Sequence, residues 1–191
     1  NIIESLKIAK EMMKDPSSGV LGMHVEGPFF NPEKKGAHSL DFIREASDYE
    51  IDKIIEHGVG VIKILTLAPE MVSPEHIKKL IDAGIPVSAG HSNTTYEQAM
   101  KGFDLGISKV THLYNAMSQF SSRSPGLVGA FLDSPDSVYG GIIVDGIHCD
   151  YASVRIAQKA KKDRLFLVSD ASFVKQPVGS FEIDEFKIFF K

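Results

Sequence analysis

The sequence is poor in the features that define several classes of protein. Its 191 residues include a single cysteine, Cys149, and no apolar run that approaches the length of a membrane span. One cysteine cannot form an internal disulfide bond, which excludes a disulfide-stabilised scaffold. The opening residues 1–4 lack the basic region followed by an apolar one that begins a signal peptide. The predicted compartment is therefore the cytoplasm, with no membrane partner.

The charge balance is also unremarkable. Lys and Arg total 21 and Asp and Glu total 25, which gives a net charge of −4, and no basic block is present. This balance argues against a nucleic-acid surface, which needs clustered cations to hold phosphates. Hydrophobic residues make up 43% and charged residues 24% of the chain. That composition is typical of a globular protein and excludes general disorder.

Short apolar runs alternate with amphipathic stretches along most of the chain. The runs predict six buried strands, at residues 20–25, 60–65, 85–90, 107–111, 138–144 and 165–168. Helices are predicted over 2–14, from the Ser73 cap to Gly84, from a Thr94–Glu97 capping box onward, and over 151–161 after Asp150. Repeated strand–helix–strand units predict an α/β fold with a parallel sheet.

The positions of polar residues favour a barrel over an open, doubly wound sheet. Residues of catalytic type end five different runs, and they are Glu26, His91, His112, Asp145 with His148, and Asp170. Such a distribution is typical of a (β/α)8 barrel, whereas an open sheet gathers its site at one switch point. Six strands predict an incomplete barrel of about six β/α units that lacks its N-terminal part. We expect the barrel over residues 1–176, and the start of a separate β element over 177–191 as a hairpin turning at Asp184-Glu185.

Three of these residues form a set of metal-ligand type. Alone, Glu26 could be a helix cap or ion-pair partner, and His91 or His112 could be a core histidine bonded to a carbonyl. Together they give two nitrogens and one carboxylate, the set with which a catalytic zinc keeps a position open for water. Asp170 would then be the general base, and a partner for its carboxylate is expected. Zinc is the predicted ion, although iron, cobalt and manganese are chemically suitable.

The remaining histidines of the strands and helices have plainer interpretations. His24 lies two residues before Glu26, so both side chains are expected on one face of the strand. His57 and His76 lie in helical stretches among charged residues and are predicted to face solvent.

Six segments in order resemble one known family. They are His24-Val25-Glu26-Gly27-Pro28-Phe29, Lys35-Gly36-Ala37-His38, Ala89-Gly90-His91-Ser92, Thr111-His112-Leu113-Tyr114-Asn115-Ala116-Met117, Asp145-Gly146-Ile147-His148 and Ser169-Asp170-Ala171. Together they resemble the N-acetylglucosamine-6-phosphate deacetylase family of the amidohydrolase superfamily, from about residue 20 to 191. The first and fourth segments are specific, whereas an isolated Ala-Gly-His would be weak.

The resemblance implies a fold, a function and a role for each matching residue. The implied fold is a (β/α)8 barrel plus a small β-sandwich, which would start over residues 177–191. The resemblance also implies hydrolysis of N-acetylglucosamine 6-phosphate to glucosamine 6-phosphate and acetate, in a homodimer of the full-length protein. Glu26, His91 and His112 match the family's ligands to one divalent metal, and Asp170 matches its catalytic carboxylate. The positions that match its substrate-binding part are Ala37, His38, Asn115, Ala116, Arg123, Asp145 and His148. In this superfamily the first barrel strand carries further ligands, so a second metal stays undetermined.

Two alternatives stay open. Another amidohydrolase that acts on a cyclic amide would use the same ligand set, although such enzymes usually lack the Thr111–Met117 segment and an equivalent of Arg123. A truncated, inactive chain that only binds metal is the other alternative, because six barrel strands leave two sheet edges unpaired.

Overall fold

A computed structural model describes residues 2–171, together with the backbone of residues 180–183 and 186–189. Its main sheet has six parallel strands, β1 (Met23–Glu26), β2 (Ile62–Leu67), β3 (Val87–Ala89), β4 (Lys109–Val110), β5 (Tyr139–Ile142) and β6 (Leu165–Leu167). Each strand pairs with the next one along the chain, in the order β1-β2-β3-β4-β5-β6. This singly wound order has no reversal of direction across the sheet, and so it is the wall of a barrel rather than a doubly wound sheet. The prediction of an incomplete (β/α) barrel is confirmed.

Helices occupy the connections between most strands. Among the described residues they are α1 (Ile2–Met12), α2 (Asp48–Gly58), α3 (Pro74–Asp82), α4 (Tyr96–Leu105), α5 (Gly126–Asp133) and α6 (Tyr151–Lys161). Short 3₁₀ segments at Pro32–Lys34 and Pro69–Met71 follow β1 and β2. None of the helices in this part of the chain is long and apolar enough to cross a membrane.

The helix caps explain where the helices begin. Ser73 accepts from the His76 amide with Pro74 at the first helical position, and Asp150 accepts from the Ala152 amide, both as predicted. The cap of α4 was predicted one residue early. Thr95, not Thr94, forms the capping box, with Gln98 as its partner.

Two faces of the sheet have different chemistry. Strand residues that point towards the helices are apolar and at most 5% exposed, and they include Val25, Leu65, Leu67, Val87 and Ala89. They pack with buried helix residues such as Ile51, Ile54, Ile77, Leu80 and Phe103 in one continuous core. The opposite, inner face lines a cavity of about 290 Å³ with side chains from the strands and their carboxyl ends. That face therefore presents the polar groups of the sheet.

A short antiparallel hairpin follows the six-stranded sheet along the chain. Strands β7 (Ser180–Ile183) and β8 (Phe186–Phe189) pair with Ser180 opposite Phe189. The hairpin is as predicted, while its turn at Asp184-Glu185 and the boundary between residues 176 and 177 lie outside the described residues.

Two histidines differ from the prediction that they face solvent. His76 is bonded to Asp48 at 2.7 Å and its side chain is only 15% exposed, so it bridges α3 to the first turn of α2. His57 is partly buried at the edge of a second, larger cavity. Charged neighbours in a helical stretch therefore did not predict exposure at these two positions.

Candidate metal centre

Three residues of metal-ligand type meet where β1, β3 and β4 end. The Nε2 atoms of His91 and His112 lie 3.1 Å apart, and Nε2 of His91 lies 3.5 Å from the Glu26 carboxylate. Two nitrogens bound to a tetrahedral zinc would be separated by about 3.3 Å, given zinc–nitrogen distances of ~2.0–2.1 Å. The two separations measured from His91 Nε2 are those that a single ion requires.

Backbone carbonyls fix which nitrogen of each imidazole faces its neighbour. His91 Nδ1 lies 2.8 Å from the Lys34 carbonyl oxygen, and His112 Nδ1 lies 3.2 Å from that of Asn115. A carbonyl oxygen only accepts, so each Nδ1 carries the hydrogen and donates it. In the neutral rings both Nε2 atoms then present lone pairs to each other. A cation between them resolves this contact, and the donor set therefore fits a metal ion.

The backbone at the site is held in an uncommon conformation. His91, His112 and Asp170 all have positive φ angles, of 48°, 34° and 49°. Non-glycine residues adopt this region only when the surrounding structure enforces it, and such residues concentrate at functional sites. The turn directs each of the three side chains away from the line of its strand.

The protonation of the site suits cation binding. Burial and the neighbouring His91 lower the pKa of His112, which favours the neutral ring that a metal requires. Burial alone would raise the pKa of the Glu26 carboxyl, but its contacts with His38 and His91 outweigh burial and hold that pKa well below its usual range. The carboxylate is thus available in its charged form.

His38 belongs to the same cluster, although the family resemblance predicted that it binds the substrate. Its Nε2 lies 3.8 Å from the Glu26 carboxylate, and together with Glu26 and His91 it forms a group that could hold a metal ion. Its ring meets those of Phe30 and His91 edge-on, with centroids 4.9 Å apart in each case, while Phe30 stacks on His91 at 4.2 Å. These aromatic contacts restrict the His91 ring on two sides. The neighbouring Ala37 is exposed.

Asp170 faces the same cavity from the end of β6. It lines the 290 Å³ cavity together with His24, Glu26 and His112. A partner was expected for its carboxylate, but Asp170 is exposed and accepts no hydrogen bond within the part of the chain that the structure describes. Exposure removes the desolvation cost that made a partner necessary.

Three of the predicted substrate-binding residues, Asn115, Ala116 and Arg123, have different surroundings. Asn115 donates through its side-chain amide to the His112 and Leu113 carbonyls, and the Ala116 carbonyl accepts from the Ser92 amide. This segment therefore supports His112 as well as lining the loop after β4. Arg123 lies exposed in a tight turn between Ser121 and Ser124, and no contact joins it to the metal cluster among the described residues.

Asp145 and His148 form a pair in the loop after β5. The Asp145 carboxylate accepts from the Ile147 and His148 amides at 2.8 Å each, and its other oxygen lies 2.7 Å from His148 Nδ1. The contacts with the His148 side chain and then its amide lower the pKa of Asp145 to about 2. The pair is exposed, with the second nitrogen of His148 free of this contact.

A chain of buried hydroxyl groups below the cluster was missed by sequence reasoning. His24 Nε2 lies 2.7 Å from the Thr66 hydroxyl, which lies 2.7 Å from that of Thr111, and Thr111 meets the Ser88 hydroxyl at 2.6 Å. The chain links β1 to β4 across the inner face. Hydroxyl residues within apolar strands were the available signal. As expected, His24 and Glu26 share a face, with His24 Nε2 3.5 Å from the Glu26 carboxylate.

Comparison with known proteins settles the family. The profile of the amidohydrolase family matches residues 3–177. The chain belongs to this family.

Relatives of this amidohydrolase chain carry closely related names. It is 45% identical over 172 residues to N-acetylglucosamine-6-phosphate deacetylase of Haemophilus influenzae, which covers 90% of this chain and 44% of that protein. It is 41% identical over 172 residues to N-acetylgalactosamine-6-phosphate deacetylase of Shewanella sp., covering 90% and 42%. The crystal structure of N-acetylglucosamine-6-phosphate deacetylase from Pasteurella multocida superposes with a TM-score of 0.89 at 38% identity, covering 97% and 49%. The amidohydrolase chain thus spans about half the length of these relatives.

Proposed function

We propose that this amidohydrolase chain carries the metal site of an enzyme that deacetylates N-acetylglucosamine 6-phosphate, giving glucosamine 6-phosphate and acetate. The observation that carries the proposal is the convergence of Glu26, His91 and His112, with both imidazoles fixed so that Nε2 faces the cluster. The names of the relatives support the choice of substrate. The sugar phosphate, the metal and the dimer are parts of the same proposal.

One divalent ion is assigned to Glu26, His91 and His112. Zinc suits two imidazoles and one carboxylate, and iron, cobalt and manganese are the alternatives. When bound, such an ion lowers the pKa of a water molecule and polarises a carbonyl group. His38 stands beside the carboxylate, where its ring can meet the acetamide of the substrate.

Asp170 is assigned the proton transfers. It takes a proton from the attacking water as the new carbon–oxygen bond forms, and it gives that proton to the amine nitrogen as the carbon–nitrogen bond breaks. Water and the amide are thereby converted into acetic acid and the amine, and at neutral pH the second proton of the water passes from acetic acid to the amine, giving acetate and the ammonium form. The position of Asp170 on the cavity that Glu26 and His112 also line supports this assignment.

The 6-phosphate is assigned to Arg123 and to the Asn115-Ala116 segment. A guanidinium group binds phosphate through charge-assisted, often bidentate hydrogen bonds. Among the described residues Arg123 forms no ion pair, so its charge is available to a ligand. The Asp145–His148 pair is assigned to the sugar hydroxyl groups, since the carboxylate fixes the imidazole while its other nitrogen stays accessible.

A panel of substrates, assayed with the full-length gene product, tests the proposal. Metal content is measured first. Release of acetate is then measured from N-acetylglucosamine 6-phosphate, N-acetylgalactosamine 6-phosphate and N-acetylglucosamine, and ring opening, which releases no acetate, is measured for dihydroorotate. We expect at least one bound divalent ion and the highest kcat/KM with N-acetylglucosamine 6-phosphate. A preference for the galactosamine epimer would move the assignment to the other named relative. Hydrolysis of the cyclic amide, or bound metal without any hydrolysis, would refute the proposal.

A further inference from the structure

Glu70 lies beside the metal cluster, and no step of the proposed function uses it. It belongs to the short segment Pro69–Met71 that follows β2. Strand β2 lies between β1, which ends at Glu26, and β3, which precedes His91. A side chain at the end of β2 can therefore reach the loops that carry both of these residues.

The Glu70 carboxylate accepts three hydrogen bonds from those two loops. Its Oε2 accepts from the Ser92 hydroxyl at 2.7 Å, while its Oε1 accepts from the Asn93 amide at 2.6 Å and from the Asn31 side-chain amide at 3.0 Å. Ser92 is fully buried, and Ser92 and Asn93 directly follow His91. These two contacts hold the backbone immediately after His91, whose φ angle is 48°. A positive φ at a histidine persists only where such contacts enforce it.

The contact with Asn31 reaches His91 by a second route. The Asn31 amide donates to the His91 carbonyl at 2.9 Å, and its side-chain oxygen caps the segment Pro32–Lys34. The last residue of that segment, Lys34, provides the carbonyl that accepts from His91 Nδ1. Glu70 thus holds the backbone of His91 on one side and, through Asn31, the segment that orients its ring on the other.

A further contact closes this arrangement into a ring. Glu33 accepts from the Asn93 side-chain amide at 2.7 Å, and the Glu33 amide donates to the Asn31 side chain at 2.9 Å. The two loops are therefore joined at Glu70 and again at Glu33. Of the two carboxylates, Glu70 is the one that also contacts the buried Ser92.

We propose that Glu70 is a positioning residue for His91, and that it sets the metal affinity of the cluster without touching the ion. The inference rests on the proposed function in one respect, namely that His91 binds metal. Hydrogen bonds to a carboxylate are about twice as strong as neutral ones, so three of them hold the two loops firmly in place. Removal of a group that orients a metal ligand typically weakens metal binding by 10- to 100-fold.

Variants of the full-length gene product test the inference. Glu70→Ala removes all three acceptor contacts. Glu70→Gln keeps the shape and one acceptor oxygen, but it removes the charge and places an amide opposite the Ser92 hydroxyl. Glu97→Gln is the matched control, because Glu97 is an exposed glutamate in the first turn of α4.

The readout is the dissociation constant for Zn²⁺, measured by calorimetry on metal-free protein, together with the visible spectrum of the Co²⁺-loaded protein. We expect affinity to fall by 10- to 100-fold in Glu70→Ala and by a smaller factor in Glu70→Gln, with an altered Co²⁺ spectrum in both. Glu97→Gln should match the parent protein. Ser92→Ala should reproduce the effect of Glu70→Gln, and the double variant should lose no more than either single one.

The outcomes separate this inference from the proposal beneath it. If the parent protein binds no Zn²⁺, the metal site is refuted and the inference falls with it. If the parent binds Zn²⁺ and Glu70→Gln binds it equally well with an unchanged Co²⁺ spectrum, the inference alone is overturned. The inference is also overturned if the metal-free Glu70 variants melt at a lower temperature than the parent but bind Zn²⁺ with unchanged affinity. That result would show that Glu70 has a purely structural role. Glu70→Gln retains the size of the native side chain and the oxygen that accepts from Asn93 and Asn31, so it keeps the test decisive if Glu70→Ala does not fold.

Discussion

Metal should stabilise the folded chain through His112, and the size of the effect can be worked out. The two Nε2 atoms of His91 and His112 face each other at 3.1 Å, so the folded state presents donors already arranged for an ion. A ligand present at 100 times its dissociation constant stabilises the state that binds it by about 2.7 kcal/mol. Unfolding of 191 residues carries an entropy of about 0.4 kcal/mol/K near 60 °C. The melting temperature should therefore rise by about 7 °C.

The assay is a thermal melt of the 191-residue chain, first stripped with a chelator and then titrated with Zn²⁺. His112→Ala should abolish the shift, because it leaves the ion without one of its two nitrogen ligands. His57→Ala is the control, since His57 lies in α2 among charged residues and belongs to no cluster proposed here. The control should keep the full shift of the parent chain.

Two results would refute this reasoning. An unchanged melting temperature at millimolar Zn²⁺ would mean that the converging donors do not form a site. An equal shift in the parent chain and in His112→Ala would mean that His112 is not a ligand and that the ion binds elsewhere or to the group formed by Glu26, His38 and His91.

Three further predictions concern turnover, substrate charge and packing. Asp170→Asn in the full-length gene product should retain its metal and lose at least about 10²-fold in kcat, as expected for a lost general base, and near-normal turnover would reassign the residue as structural. Arg123→Ala should narrow the gap in kcat/KM between N-acetylglucosamine 6-phosphate and N-acetylglucosamine without changing metal content, whereas an unchanged ratio would make Arg123 a solvated loop charge. Gly140→Ala should lower the free energy of unfolding by about 1–3 kcal/mol, because the added Cβ would lie 2.4 Å from the ring of the fully buried Phe131. Urea denaturation measures that loss, and an unchanged midpoint would show that the ring can move aside.

The strands were predictable because burial on both sides of the sheet leaves a strong pattern. All six apolar runs form strands, each within a few residues of its predicted limits. The identity of the ligands followed from the same pattern, since a polar residue directly after a buried run lies at the carboxyl edge of the sheet. Glu70 lacks this signature, because it comes three residues after the end of β2, and its contacts with two other loops have no trace in the local sequence.

Helices with weaker local signals were not predicted. The sequence of α5, Gly126–Asp133, contains two glycines and has no side-chain cap, so its helical form depends on burial against the sheet. The start of α4 could not be fixed because Thr94 and Thr95 each precede a suitable partner by three residues. Burial decides between them, since Thr94 is 1% exposed and Thr95 is left at the surface to cap the helix.

The conformation of the ligands was also beyond the reach of the sequence. The positive φ angles of His91 and His112 are set by contacts with loops far away along the chain, such as the Asn31 amide on the His91 carbonyl. Positive φ angles are uncommon in residues other than glycine, so the local sequence does not predict them here.

The acceptors that fix the two imidazoles are main-chain atoms, and this has a consequence for how the protein can vary. Any amino acid at positions 34 and 115 supplies the same carbonyl oxygen to Nδ1 of His91 and His112. The side chain at position 34 can therefore be exchanged without removing the group that orients His91, whereas the Asn115 side chain also donates to the His112 carbonyl. Mutation can thus alter the surface that the loops around the site present to a small molecule, while the nitrogen donors keep their direction. Substrate preference can therefore change during evolution while the ion is retained.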